Sequence, residues 1–432
     1  MKKFSLFQII LLAAFGGLAA GGVLIFAVAT GSNSSKTLGP ISIWGTLDSQ
    51  AVKSALSELA QDDTNLSQVT YIHKNPQTYQ SELTRSFASA TGPDLFVMRQ
   101  DYAYEDRGQA TIIPYTALSQ SQFENTFIQA AQPYLDTVGV IALPFLADPL
   151  VLYWNRDMLA SAGLSQPPRF WDELFTMATR ITQQNDTGGI VKSAVALGEF
   201  ENIENAKDIM ALLMLQAGAK ITKRDDNGDL VSALSEGGEA KNTASALRFY
   251  TEFANPSKDD YSWNKSFSSA QQTFGSGDLA LYIGYASEAS VIRKINPNLN
   301  FAIAPVPQIR GGGPTVNIAR VYALAVSHTG KRQNAALAAA YLLAAQKSSQ
   351  AFASSLHMTS ARRDVLAQPA QNDVELFNRQ VIAAHSWVDP SPEKTNDIFR
   401  AMIEDTTSGV LSITDAVSRA QQQFSTLLTP MQ

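Results

Sequence analysis

Residues 143–174 read LPFLADPLVLYWNRDMLASAGLSQPPRFWDEL, and four local signals follow one another in them without a break. Leu150, Val151, Leu152, Tyr153 and Trp154 form a short β-branched and aromatic run between Pro149 and Asn155, which predicts a strand buried on both faces. Residues 157–162 then predict a single helical turn closed by Gly163, the usual residue for a left-handed C-terminal position. Pro167 and Pro168 stop the chain. Asp172 and Glu173 place negative charge in the first turn of a longer helix, where it complements the helix dipole, and Leu174, Ala178 and Ile181 recur on one face. The stretch is therefore strand, short helix, proline turn, long helix.

Working outward, the same alternation repeats. Residues 41–44 and 69–72 read as strands, each followed by a helix, with Val52, Leu56 and Leu59 on one face of the first and Tyr79, Leu83 and Phe87 on one face of the second. Gly92-Pro93 turns the chain into a third strand, 95–98. Strand and helix in alternation predict an α/β fold with a parallel or mixed sheet flanked by helices. Such sheets bind ligands beyond the carboxyl ends of their strands, which points to Trp44 and to Arg99 and Asp101 as cleft residues. Farther on, 209–215 read as a helix ended by Gly218, 265–274 as a helix ended by Gly275, and 279–283, 301–304 and 322–326 as strands. Alanine-rich helix follows from Gln333, with Leu337 and Tyr341 on its stripe. Asp225-Asp226-Asn227-Gly228-Asp229 invites a calcium-loop reading, but Gly228 has the wrong offset and no glutamate follows at the bidentate position, so an Asn-Gly hairpin turn is the better reading.

A chain of 432 residues with 45% hydrophobic content is long enough for two cored domains. Its formal charge of -6 comes without a basic cluster, which excludes the electrostatic footprint of a nucleic-acid binder. The absence of cysteine removes disulfides, thiolate metal sites and thiol chemistry. Lys2 and Lys3 precede an apolar run over 4–29, about the ~20 residues that cross hydrocarbon. Its length favours an uncleaved signal anchor over 1–30, with the folded part outside the cytoplasm at the cell membrane, while Ala27-Val28-Ala29 offers the site of a cleaved signal peptide and a secreted or periplasmic product. Residues 31–39 read as a small polar linker.

The run LYWNRDMLASAGLSQPPRFWDEL, with its Tyr-Trp-Asn, Ala-Gly, Pro-Pro and Trp-acidic landmarks, resembles the signature of family 1 extracellular solute-binding proteins, the sugar-binding partners of ABC importers. Residues 79–98, 274–285 and 322–326 match in the family's order, so that the resemblance covers roughly 40–425. It implies a two-lobed, type II periplasmic-binding-protein-like fold whose chain crosses between lobes near 148, 298 and 346. The first lobe would hold 40–147 with 299–345, and the second 148–298 with 346–432. No cofactor and no metal is implied. The partners would be a small solute, a sugar or oligosaccharide, and ABC permease subunits. The solute would be captured by hinge closure rather than chemistry. Members of the family often carry a lipobox cysteine, which this chain lacks.

Sugar recognition needs aromatic faces and a rim of carboxylates, amides or guanidinium groups. Trp44, Trp263, Tyr285, Tyr322 and Trp387 are the candidate platforms, although a lone aromatic is more often core. The resemblance places Tyr285 at the cleft after its strand and glycine. It puts Asp148 where members hydrogen-bond ligand hydroxyls, the bland alternative being a turn cap before Pro149. It puts Asp101 at a polar position beyond the third strand, and Arg320 where a small residue is usual, narrowing the pocket or selecting an acidic or highly hydroxylated ligand. Catalytic templates are missing: His73, His328, His357 and His385 have no helical pairing, and there is no nucleophile elbow or Walker lysine. Asp101, Asp148 and Glu199 would have to meet in space to cleave a glycoside. A glycan-acting enzyme and a membrane-tethered sensor or scaffold are the alternatives to the binding protein, which is not an enzyme.

Overall fold

The computed structural model describes residues 38–235 and 239–428. The expected signal anchor and nearly all of the linker lie outside them, and among the described residues no helix is long and apolar enough to cross a membrane.

The chain opens with β1 (Ile41–Gly45), α1 (Ser49–Asp62), β2 (Val69–His73), α2 (Tyr79–Ala88) and β3 (Leu95–Arg99). β1 lies between β2 and β3 and is parallel to both. Asp48 caps α1 by accepting from the Ala51 amide, and Val52, Leu56 and Leu59 bury the predicted face. Residues 143–181 then form β4 (Leu143–Asn155), α3 (Arg156–Ser161) and α4 (Glu173–Ile181). β4 starts seven residues earlier than the hydrophobic run suggests because it passes through both of its prolines. Pro144 falls where the pairing register shifts, and Pro149 where β4 exchanges partners, the places where a missing N–H is tolerated. Asn155 caps α3, and Gly163 takes the expected left-handed conformation at φ +69.

β5 (Ile190–Val195), α5 (Ala206–Gln216), α6 (Glu239–Glu252), α7 (Ala270–Ser276), β6 (Leu279–Tyr285), β7 (Phe301–Ala304) and β8 (Asn317–Val326) follow. Then come α8 (Gln333–Leu343), α9 (Gln346–Leu356), α10 (Asn372–Ile382), α11 (Pro392–Thr407) and α12 (Ile413–Leu428). One mixed sheet runs in the order β2-β1-β3-β8-β4-β6-β5, with β7 also on β4. The first half of β4 pairs with β8, Asp148 opposite Arg320 and Leu146 opposite Tyr322. Its second half pairs with β6, Leu150 opposite Tyr285 and Trp154 opposite Leu281.

Two hydrophobic cores flank this junction, and they define the two lobes. One gathers Ile43, Phe96, Tyr134, Leu146, Ala325 and Phe352, the other Tyr153, Leu212, Tyr250, Phe274, Leu281 and Phe399. Their membership differs from the sequence division at two places. Ala304 and Val306 pack in the second core because β7 pairs with the far half of β4. Phe352, Leu366, Val381 and Ala384 pack in the first, because Thr359 and Ser360 pair with Ala147 and Leu146. Residues 346–384 thus contribute to both cores, since Phe377 of α10 packs in the second while Val381 and Ala384 pack in the first.

Two local readings also change. The hairpin at 225–229 has five loop residues, since Arg224 pairs with Leu230, and the Asp225 carboxylate accepts from the Asn227 and Asp229 amides in place of a two-residue turn. α7 begins only at Ala270 and contains Gly275. Gly277, at φ +88, closes it.

A candidate ligand cleft between the lobes

Beyond the carboxyl end of β3 the two lobes enclose a cleft of about 410 Å³. Its lining brings together Arg99 and Asp101 of the first lobe, Lys207 and Asp208 from the first turn of α5, Arg320 of β8, and a C-terminal segment running from Ser386 through Trp387 and Asp389 into α11. The size lies in the range of small-molecule sites. A larger hollow of about 700 Å³ under Gly311–Gly313 is lined by loop residues and by one face of α10, with Arg169 and Arg379 as its charged groups. Both of its charged groups are arginines, whereas charges of both signs converge on the cleft, which is therefore the better candidate.

Three ion pairs face the cleft. Arg99 Nε donates to Asp101 Oδ1 at 2.9 Å across the 3-10 turn after β3. Lys207 Nζ lies 2.6 Å from Asp389 Oδ2 and 2.7 Å from Thr395 Oγ1, tying α5 to α11. Arg320 Nη2 lies 3.2 Å from Asp208 Oδ2. Burial opposes the charge on Asp101, yet Arg99 beside it, with Lys207 and Arg320 farther off, holds its carboxyl below the usual range. Burial raises Asp389 in spite of Lys207. Trp387 supplies a flat wall, its ring stacked on Phe399 with centroids 6.2 Å apart and the Lys207 ammonium 5.4 Å from its centroid. Ser386 Oγ is closed to solvent and finds no hydrogen-bond partner among the described residues.

Of the residues singled out from the sequence, Arg99, Asp101, Arg320 and Trp387 line the cleft. Tyr285 does not: it is 1% exposed, its ring lies 3.8 Å beneath the Arg320 guanidinium, and its hydroxyl donates to Asp208 Oδ2 at 2.7 Å. It supports two cleft residues from below. Asp148 is likewise 1% exposed, and its carboxylate accepts from the amide and hydroxyl of Ser287 at 3.0 and 2.6 Å. Burial, offset by those donors, pushes its carboxyl up to about 6.

Trp44 lies apart from the lining with the Lys74 ammonium 3.7 Å over its ring. Tyr322, half-buried, pairs with Arg99 across the strands and packs on the first core. Glu199 sits in the second lobe 3.8 Å from Lys265, so Asp101 alone of the three carboxylates weighed for glycoside cleavage reaches the cleft. Trp263 is core, stacked on Phe267 at 4.4 Å. Glu204, Lys207, Asp208, Ser386, Asp389, Glu393, Asn396 and Asp397 were not singled out. The signal available for them was polar sequence crowding the starts of two helices, which ordinarily means capping.

Each pair offers N–H donors and carboxylate acceptors side by side. A hydroxyl, which both donates and accepts, can satisfy the two at once, and Trp387 can cover an apolar ring face.

Residues 48–348 match the family described as bacterial extracellular solute-binding protein. A putative binding protein of Brucella abortus is 27% identical over 101 residues, 23% of this chain and 25% of its own length. A probable ABC transporter-binding protein of Deinococcus radiodurans is 46% identical over 48 residues, 11% of each chain. The chain thus matches about a quarter or less of the length of these relatives. The crystal structure of a cyclic alpha-maltosyl-1,6-maltose binding protein from Arthrobacter globiformis superposes with a TM-score of 0.72, covering 90% of this chain and 99% of that one at 16% identity, a likeness of fold. With its family pattern running through both lobes and the crossing strands, the chain belongs to the bacterial extracellular solute-binding proteins.

Proposed function

We infer that the protein captures a sugar or sugar derivative between its lobes and delivers it to an ABC importer, without altering it. The observation that carries this reading is the set of three ion pairs, Arg99–Asp101, Lys207–Asp389 and Arg320–Asp208, converging with Trp387 on one interlobe cleft. Charges already neutralised by a neighbour hold no excess attraction for an ion, but their free donor and acceptor positions suit a dense array of hydroxyls. Arg99 and Asp101 belong to one lobe and Lys207 and Asp208 to the other, so one solute touching both would favour the closed arrangement.

Similar proteins support the delivery role: one is a probable ABC transporter-binding protein, and a structural neighbour is a cyclic alpha-maltosyl-1,6-maltose binding protein. A thermal-shift screen of the full chain against mono- and disaccharides tests the reading. A ligand present at 100 times its dissociation constant stabilises by about 2.7 kcal/mol, which raises the melting temperature by several degrees. Release of a cleaved product during incubation with oligosaccharides would overturn it in favour of an enzyme.

A further inference from the structure

Trp387 is part of the cleft lining, whereas Tyr285 lies one layer behind it. Between the Tyr285 ring and the cleft stands a single group, the Arg320 guanidinium, which lies 3.8 Å over the ring and belongs to the lining itself. An aromatic face of the kind that stacks on sugars is therefore present at the inner end of the cleft and covered.

That cover is held from several sides. Arg320 Nη2 donates to Asp208 Oδ2 at 3.2 Å and to Asn205 Oδ1 at 3.3 Å. Asp208 is held in turn, because the Tyr285 hydroxyl donates to the same Oδ2 at 2.7 Å, and Asn205 Nδ2 donates to Glu288 Oε1 at 3.0 Å. Tyr285 thus fixes the carboxylate that fixes the guanidinium on its own ring. Hinge motion does not lift the guanidinium away. β8 passes from the second core to the first between Ile318 and Ala319, so Arg320 stands beside the pivot, where rotation of the lobes displaces atoms least.

We propose that Arg320 is a specificity-determining residue that sets the length of the captured saccharide, by closing off an aromatic subsite on Tyr285. The proposal rests on the sugar-capture reading and deepens it. With its charge neutralised by Asp208, the guanidinium meets the solute as a wall, and its Nε and Nη1, which have no acceptor among the described residues, offer N–H donors to the last hydroxyls. Shortening this side chain uncovers a platform that is already built. The Tyr285 ring stays packed in the second core and its hydroxyl keeps Asp208.

The test measures binding to the full chain by calorimetry, with mono- to tetrasaccharides of glucose, of galactose and of mannose. In the parent, affinity should stop rising at a fixed chain length. In Arg320→Ala it should rise for one further unit, and that longer member should bind roughly tenfold more tightly than it binds the parent, the worth of one stacked ring. Arg320→Met keeps a long side chain over the ring without the charge, so it should retain the parent's length limit. Adding Tyr285→Leu to Arg320→Ala should abolish the gain. An unchanged limit or uniform weakening at every length in Arg320→Ala, the same extension in Arg320→Met, or a gain that survives Tyr285→Leu overturns the covered subsite and leaves sugar capture standing. A parent affinity that still rises at the tetrasaccharide also overturns it. Binding of no saccharide to the parent overturns the capture reading itself.

Discussion

Arg320 shows how one side chain joins the sheet to the cleft. It sits opposite Asp148 on β8, its guanidinium lies over Tyr285, and its Nη2 pairs with Asp208. The family resemblance places Tyr285 at the cleft as a platform for the solute. In the fold it is a wall of the second core. Tyr285→Ala is therefore expected to cost roughly 3–5 kcal/mol of stability, visible as a lower melting temperature without solute. An unchanged melting temperature would return the ring to the solute. Asp106 is a second buried group with a measurable signature. It is 6% exposed, accepts from Gln80 Nε2 at 2.6 Å, and burial lifts its carboxyl to about 7. An unfolded aspartate titrates near ~3.9, so between about pH 4 and 7 the folded chain holds more protons than the unfolded one. Stability from this group therefore falls as pH rises through that window, and the loss is complete above it. Asp106→Asn should match the parent's melting temperature near pH 4 and exceed it by about 2–6 °C at pH 8. Equal melting at both values would mean that Asp106 is ionised in the fold as in the coil.

At the scale of elements, β6 depends on a residue with no side chain. A Cβ on Gly284 would stand 2.5 Å from Tyr282 Cε1 and 2.6 Å from Glu288 Oε2. Neither yields easily, since Tyr282 is stacked on Tyr153 and its hydroxyl bonds Glu288. Gly284→Ala should destabilise by about 1–3 kcal/mol, read by denaturant unfolding, and a neutral result would mean that the turn after β6 shifts freely. Much of the element order was legible because its signals are local. The face of α1, the cap of α3 and the left-handed Gly163 each depend on residues a few positions apart. What was not legible depends on distant partners. That β4 runs through Pro144 and Pro149 follows from β8 and β6 lying beside it, and nothing in residues 143–155 records those neighbours. The cleft was half legible for the same reason. Arg99 and Asp101 follow from a rule about strand ends, whereas Lys207 and Asp208 look like an ordinary first helical turn until α11 delivers Asp389 and β8 delivers Arg320.

At the scale of the whole molecule, the two cores are joined by strands rather than by a linker. β4 and β8 run from one into the other, Ile318 packing in the second and Ala319 in the first. A twofold core was expected from the family pattern, but that residues 352–366 pack in the first core follows from Thr359 and Ser360 pairing with β4, a partner nothing near them in sequence records. The strand order has a further consequence, for the sequence of events as the chain folds. β3 and β4 are not neighbours: β8 lies between them, Leu95 pairing with Val326 on one side and Leu143 with Leu324 on the other. The first lobe's sheet therefore stays open until residues 317–326 exist to fill it, and contacts so remote in sequence form slowly because a long loop must close first. A fragment of residues 38–155 should show no cooperative melting and little protection of β3 amides from hydrogen exchange, whereas residues 38–428 should melt cooperatively. Cooperative melting of the short fragment would show that β1 to β4 assemble without β8. Until β8 is made, β3 and β4 each carry an unpaired edge, so the half-built chain is the state most exposed to aggregation and the one a holding chaperone would have to shield.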